Sequence, residues 1–590
     1  MTPKFKLYSH SMRRIIFLCL VFLLAAKPAS ALSQFTTDYQ ITYKVDATGL
    51  TNVKYQISQT NNLSRVYATE FSLSVSHTNI ENLKVKDFTT PIDPDIVLTN
   101  NITNINFPFI NKIVGVDKTH TFSIEYNTHD IAVKTGSVWE INIPKITTNE
   151  SINNLTVNLQ IPPNFPKLVF VDPKPTKITN NIYTFSSHSL ANKPISALFG
   201  SEQFFELNTS YYLENELNSN NQKTIALPPN TSYQEVLIKD ISPKPDNITA
   251  DPDGNWLAVY TLKPKQKLNI DLKQIIKLQF TPKSEIGTPD LSKYLEPTKT
   301  WDYNSQEFQK INVGELKDPQ QIFNFVTDSL VYNYSLIEKD PLSRQTASFS
   351  LQHPTQAICT NFTDLFVALA RKNNLPAREI QGFAMSENEK LKPLSLAKDV
   401  LHAWPEYFDK EKNTWIQVDP TWTNTTNGVD YFNKLDLNHI AFVIHGQDTT
   451  PPLPAGFYKN PEKTTKDVNV KETDPIEFPP ANIQVEIKEQ RGNVLIVSVK
   501  NPSGTAKLNI PPLSHQEMEI NLNSRPIVGK STKTVTVEIA GDQYTLPVSI
   551  KPILQPQALM AILATLLILL ILIIKKIKNT NSVFPVSIKT

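Results

Sequence analysis

Apolar and polar residues alternate with a period of two over 39–45, 52–57, 66–75, 121–126 and 137–143. These segments are rich in Val, Ile, Thr, Tyr and Phe, and Asn, Asp and Pro separate them, so they predict antiparallel strands with one wet face. A strand about every ten residues from 35 to 280 predicts N-terminal all-β sandwiches. Breaks near 162–166 and 200–205 divide them into a region 32–200 of one or two modules and a further β-sandwich at 201–290. Near Tyr294 the period changes. Ile322, Phe323, Phe325, Val326, Leu330 and Val331 recur at helical spacing behind Asp318-Pro319, a helix-start pair. Phe362, Leu365, Phe366, Leu369 and Ala370 mark a second helix over 359–374, with Pro376 as its stop. A strand at 377–383 follows, then a hairpin of 400–408 and 414–422 around the polar turn 409–413. Residues 294–446 thus predict a central α+β domain. Prolines 451, 452, 454, 461 and 475 among many charges make 448–475 a linker. Alternation resumes at 482–488, 493–500, 517–522 and 531–539, which predicts an immunoglobulin-like β-sandwich over 476–552.

The two ends change the picture from a set of modules to a membrane protein. Residues 558–574 form a 17-residue uncharged apolar run. As a helix it is about 26 Å long, close to the ~30 Å hydrocarbon thickness, so it predicts a single transmembrane helix. Lys575, Lys576 and Lys578 follow it and assign 575–590 to the cytoplasm. At the other end, Lys4, Lys6, Arg13 and Arg14 precede the apolar stretch 15–26 and then Ala29-Ser30-Ala31. That order predicts a signal peptide at 1–31 and a mature N-terminus outside the cell membrane, with the bulk of the chain extracytoplasmic. Charge adds one exclusion. With 58 basic against 56 acidic side chains, a formal +2, nothing points to a nucleic-acid partner.

Removal of the signal peptide takes Cys19 with it and leaves Cys359 as the cysteine of the mature chain. In a disulfide-permissive compartment structural cysteines come in pairs, so a lone thiol is either a small buried apolar residue or a reactive one. Cys359 opens the second helix, where unpaired N–H groups and the positive helix end favour thiolate and offer donors to an oxyanion. A turn centred between Glu411 and Lys412 sets Thr421 opposite His402 and Asp419 diagonal to it on the same face. Diagonal neighbours lie ~7–8 Å apart, within reach of an imidazole and a carboxylate. A carboxylate on one ring nitrogen leaves the other for the thiol proton. His439 and His445, in the strand-like 438–446, read as structural histidines, and one cysteine does not make a zinc cluster, so no metal and no cofactor are expected.

The cysteine helix, the Leu-Pro-Ala-Arg-Glu-Ile-Gln-Gly run at 375–382, His-Ala-Trp at 402–404 and Trp-x-x-x-Asp-Pro-Thr at 415–421 together resemble the transglutaminase-like superfamily. Cys359, His402 and Asp419 stand 43 and 17 residues apart in the family's order. The resemblance covers 294–446 and implies a papain-like α+β fold with those three residues as a catalytic triad. It further implies a thioester acyl-enzyme formed on protein or peptide substrates at the cell surface. Water resolves it in the protease and amidase relatives, an amine in the crosslinking ones. Tyr332 resembles an aromatic position upstream of the family's cysteine, and Trp404 and Trp422 are candidates for shaping the substrate cleft. One departure is Ala357, where the family carries Gly two residues before the cysteine. A surface adhesin or scaffold with a degenerate, non-catalytic domain is the competing reading.

Overall fold

The computed structural model describes residues 33–580, except 100–101, 146–150, 191–192, 288, 311–315, 337–343, 387–391, 394–400, 427, 448, 450, 464 and 523. The expected signal peptide and most of the expected cytoplasmic tail lie outside the described residues. The chain is mostly β and forms two compact units. One is made of the chain up to Val133 with Ile141–Phe165 and Val171–Ala197; the other of Lys134–Glu140, Pro166–Phe170 and the chain from Leu198 onward.

In the first unit, Phe35–Val45 pairs antiparallel with Thr51–Asn61, and that strand with Thr119–Thr128. On its other side Phe35–Val45 pairs parallel with Ser151–Gln160, within an eight-stranded sheet. The alternation seen in the sequence becomes a buried row of Tyr39, Ile41, Tyr43 and Val45. A second sheet joins Glu70–Val75, Ile102–Pro108 and Asp95–Thr99.

The second unit begins with two facing sheets. One is ordered Gln234–Ser242, Lys267–Gln279, Glu202–Glu214, Val468–Glu472, and the other Asn221–Leu227, Trp256–Leu262, Asn247–Ala250. The stretch 448–475, read from its prolines as a linker, therefore supplies a strand: Val468–Glu472 pairs with Glu202–Glu214. Leu207, Tyr211, Ile225, Trp256, Ile270 and Ile276 fill the core between the sheets, and Leu401, Ile440 and Phe442 of the following domain enter the same core.

That domain, where the expected chemistry resides, contains helices α1 (Pro319–Ser329), α2 (Ala347–Gln352), α3 (Cys359–Lys372) and α4 (Pro420–Thr425). Its strands are β1 (Ala377–Ala384), β2 (Leu401–Asp409), β3 (Thr414–Gln417) and β4 (His439–His445), in the antiparallel order β3-β2-β1-β4. Asp318 caps α1, accepting from the Gln321 N–H at 2.9 Å, as its place before Pro319 anticipates. Asn373 caps α3, and Asn374 follows in the left-handed region at φ +60°, so the helix stops short of Pro376. Phe362, Leu365, Phe366 and Leu369, the predicted apolar face, are wholly buried against Ile322, Val326, Tyr407 and Val418.

The predicted hairpin forms with the expected register: Glu406 lies opposite Gln417 and Asp409 opposite Thr414. Its ladder ends at Gln417, so Thr421 does not pair with His402. Pro420 has no N–H for a ladder and is suited to the first turn of a helix, so the chain leaves the sheet there and becomes α4.

Beyond this domain, Gln484–Arg491, Val494–Asn501 and Ser514–Asn521 form a three-stranded meander and Ser531–Ile539 with Asp542–Ile550 a hairpin. Leu495, Val497, Val499, Val537 and Ile550 share their core. The chain then enters a helix, Pro556–Thr580, of which Pro556–Lys578 is long and apolar enough to cross a membrane.

Candidate active site

Three elements bring Cys359, His402 and Asp419 together. Cys359 is the first residue of α3, His402 the second of β2, and Asp419 the N-cap of α4; all three are fully buried. Gly382 of β1 lies opposite His402, and its lack of a side chain is required. A Cβ there would sit 2.0 Å from the Ile440 carbonyl oxygen and 3.0 Å from the Trp404 ring. Ala357, the departure noted in the sequence, is wholly buried; its methyl joins the apolar core with Tyr332 and Phe362, and its carbonyl accepts from the Asn333 N–H at 2.8 Å.

The carboxylate of Asp419 is held from both sides. Oδ1 accepts from the N–H groups of Thr421 and Trp422 at 2.9 and 3.1 Å, the capping of α4. Oδ2 lies 2.9 Å from Nε2 of His402. That contact leaves Nδ1 of His402 without a hydrogen-bond partner and so available to a proton from Cys359, which acts on the ring electrostatically. Burial works against a charged ring, but the charge and hydrogen bond of Asp419, joined by those of Cys359, outweigh it and raise His402 to about 10. Burial would also raise Asp419, yet His402 and then His439 hold its carboxyl far below the usual carboxylate range. The Asp419 carboxylate therefore favours a proton on His402.

Two indoles stack on the imidazole. The Trp422 and Trp404 rings lie 5.1 and 5.8 Å from it, inclined by 22° and 24°. Both are fully buried: Trp422 Nε1 donates to the Pro393 carbonyl at 3.2 Å and Trp404 Nε1 to Gln417 Oε1 at 3.2 Å. These tryptophans, candidates for the substrate cleft in the sequence, lie against the ring of His402, and an aromatic face favours its cationic form. Tyr332 is buried too, bridged to Ala357 and packed on Tyr334 and Phe362, two residues from the start of the cysteine helix.

His439, read from the sequence as a structural histidine, stands in this cluster. Its Nε2 lies 3.4 Å from the same Oδ2 of Asp419, and its Nδ1 2.7 Å from Oδ1 of Asp436. The signal was present as Asp436-x-x-His439, but nothing local says that β4 returns beside Asp419. Donor atoms of His402, Asp419 and His439 all lie within 4.8 Å of one another, and both rings use the one carboxylate oxygen.

A second buried cluster pins α3 to the sheet. Arg344 bridges Asp364 of α3 at 2.5 Å and Glu379 of β1 at 2.7 Å. Trp301 Nε1 donates to Asp364 at 2.8 Å, and His445 Nδ1 faces Glu379 at 2.9 Å. Burial would raise Glu379, but Arg344 and His445 hold it down at about 2.

A histidine held by a carboxylate, in one domain with a thiol at a helix start, is an arrangement that thiol–imidazole acyl transfer can use. Residues 306–420 match the family described as the transglutaminase-like superfamily. No curated protein matches the chain by sequence. Among solved structures, a candidate cysteine protease from Cytophaga hutchinsonii is 18% identical, covering 48% of this chain and 94% of its own with a TM-score of 0.32. The periplasmic domain of TgpA from Pseudomonas aeruginosa, bound to ethylmercury, is 14% identical, covering 38% and 91% with a TM-score of 0.22.

Proposed function

We propose that this chain is a membrane-anchored, extracytoplasmic thiol enzyme of the transglutaminase-like type. Cys359 attacks an amide carbonyl of a protein or peptide, and His402, oriented by Asp419, takes the thiol proton and passes it to the leaving amine. The resulting thioester is resolved by water or by a second amine. The observation that carries this reading is a buried imidazole with Nε2 2.9 Å from a buried carboxylate and Nδ1 left without a hydrogen-bond partner, under the electrostatic influence of Cys359. Such a ring is held in the tautomer and orientation that general acid–base work requires. The apolar helix followed by Lys575, Lys576 and Lys578 supports an anchor with its basic end in the cytoplasm.

The full burial of Cys359 favours the rival reading, a non-catalytic scaffold with an inaccessible thiol. One comparison decides. The Cys359→Ala chain should lose both labelling by iodoacetamide and all amidase or amine-incorporation activity on a casein substrate. Equal activity in wild type and variant, or a wild-type thiol that iodoacetamide does not label, gives the scaffold.

A further inference from the structure

His439 has both ring nitrogens aimed at carboxylate oxygens, Nδ1 at Asp436 and Nε2 at Asp419, and no acceptor-free nitrogen remains to it. A neutral imidazole has one N–H and one lone pair, and the lone pair would face a carboxylate; only the doubly protonated ring satisfies both contacts. We propose that His439 is a positioning residue of the thiol site, a fixed imidazolium that shares Oδ2 of the Asp419 carboxylate with His402 and raises the acidity of the His402 ring. This inference rests on the thiol-enzyme reading above.

The surroundings supply the charges that such a cation requires. Facing His439 from the loop before β4 is Asp436, from the start of α4 Asp419, and from β2 the ring of His402, with centroids 5.6 Å apart. Trp404 and Trp422 cover its faces at 4.9 and 4.5 Å. One step further out, Asp436 Oδ2 faces Lys392 at 3.6 Å, Lys392 and Lys434 hold Glu140 at 2.8 and 2.7 Å, and the Tyr431 hydroxyl donates to Glu140 at 3.3 Å. Signs alternate along this chain from Glu140 to His402, so each buried charge has an opposite neighbour. Burial opposes the charge on His439, and Asp436 with Asp419 overrides it.

Two effects on the reaction follow from the geometry. First, Asp419 is gripped on Oδ2 by two rings, so its hydrogen bond to His402 cannot swing away. Second, a positive ring beside His402 disfavours a second positive charge there, which makes His402 a readier proton donor to a leaving amine.

The test follows iodoacetamide labelling of Cys359 in the full-length chain across pH. His439→Gln keeps a side-chain N–H for Asp419 but removes the charge; His439→Ala removes both. Both variants should move the pH window of Cys359 reactivity upward, on the order of one unit for loss of a close like charge. The plateau rate should stay near wild type in His439→Gln and fall roughly ten- to a hundredfold in His439→Ala, as misplacement of a catalytic group does. Asp436→Asn, which weakens the cation without touching the ring, should shift the window the same way. A window that stays in place in His439→Gln and Asp436→Asn, or moves downward, overturns the proposal while leaving the thiol-enzyme reading intact. A wild-type profile identical to that of His402→Ala overturns that reading instead. Should His439→Ala fail to fold by circular dichroism, the other two variants carry the decision.

Discussion

His402 and His445 lie in adjoining parts of one sheet, both buried and both 2.9 Å from a buried carboxylate, yet only one has chemistry available. In His445 the second nitrogen is occupied as well, since Nε2 faces the Pro452 carbonyl at 2.9 Å, and its partner Glu379 is closed by Arg344 and Gln381. In His402 the second nitrogen is left to a thiol. A buried carboxylate–histidine pair is thus structural when every donor and acceptor is matched, and reactive when one ring nitrogen is held back.

The largest expected effect breaks or upholds that contrast directly. His402→Ala should lower acylation-dependent activity by about 10²- to 10⁴-fold, the range of a lost general acid–base group, whereas His445→Gln should change it less than about threefold. Comparable losses in the two would dissolve the distinction.

The contrast should invert for stability. Arg344→Met leaves Asp364 and Glu379 buried without their shared cation, and urea unfolding should show a loss of about 3–5 kcal/mol. Cys359→Ser, at the reactive cluster, should cost about 1–2 kcal/mol. A larger loss for Cys359→Ser would assign the structural load to the wrong cluster.

The smallest effect concerns pH. His402 is raised from an ordinary ~6.5 to about 10, so its contribution to stability is fully present below ~6.5 and is lost as pH rises toward 10. Asp419 is depressed, so its contribution is present above its ordinary ~3.9 and is lost in acid. Wild type should therefore exceed His402→Gln in stability most between about pH 4 and 6.5, with a difference of order 1 kcal/mol that narrows toward pH 10. Melting curves of the two chains across that range check it, and a difference that widens above pH 8 would contradict a charged His402.

Much of the central domain was legible because its signals are local. The α3 face is a run of apolar residues at three- and four-residue steps, and the hairpin register follows from a polar turn of five residues at 409–413. Asp419 was found beside His402, but by a different route. The expected diagonal across a ladder is replaced by a helix cap, because Pro420 ends the strand. Trp404 and Trp422 were singled out as candidates for the substrate cleft, and their stacking on the imidazole was not legible from spacing. The strand at Val468–Glu472 was hidden by surrounding prolines and charges, since an edge strand needs few apolar residues when its partner, Glu202–Glu214, supplies the ladder.

The sequence by itself determined the periods, the helix starts and stops and the apolar helix near Lys575, since each depends on residues within a few positions of one another, and it carries the order of Cys359, His402 and Asp419 in three short local blocks. Only the tertiary structure decided which histidine keeps a nitrogen in reserve. That outcome depends on groups brought from distant parts of the chain: β4 returns His439 to Asp419, Lys392 and Lys434 close on Glu140, and Pro452 reaches His445. Hydrogen-bond satisfaction is a property of the packed interior, and spacing along the chain does not encode it.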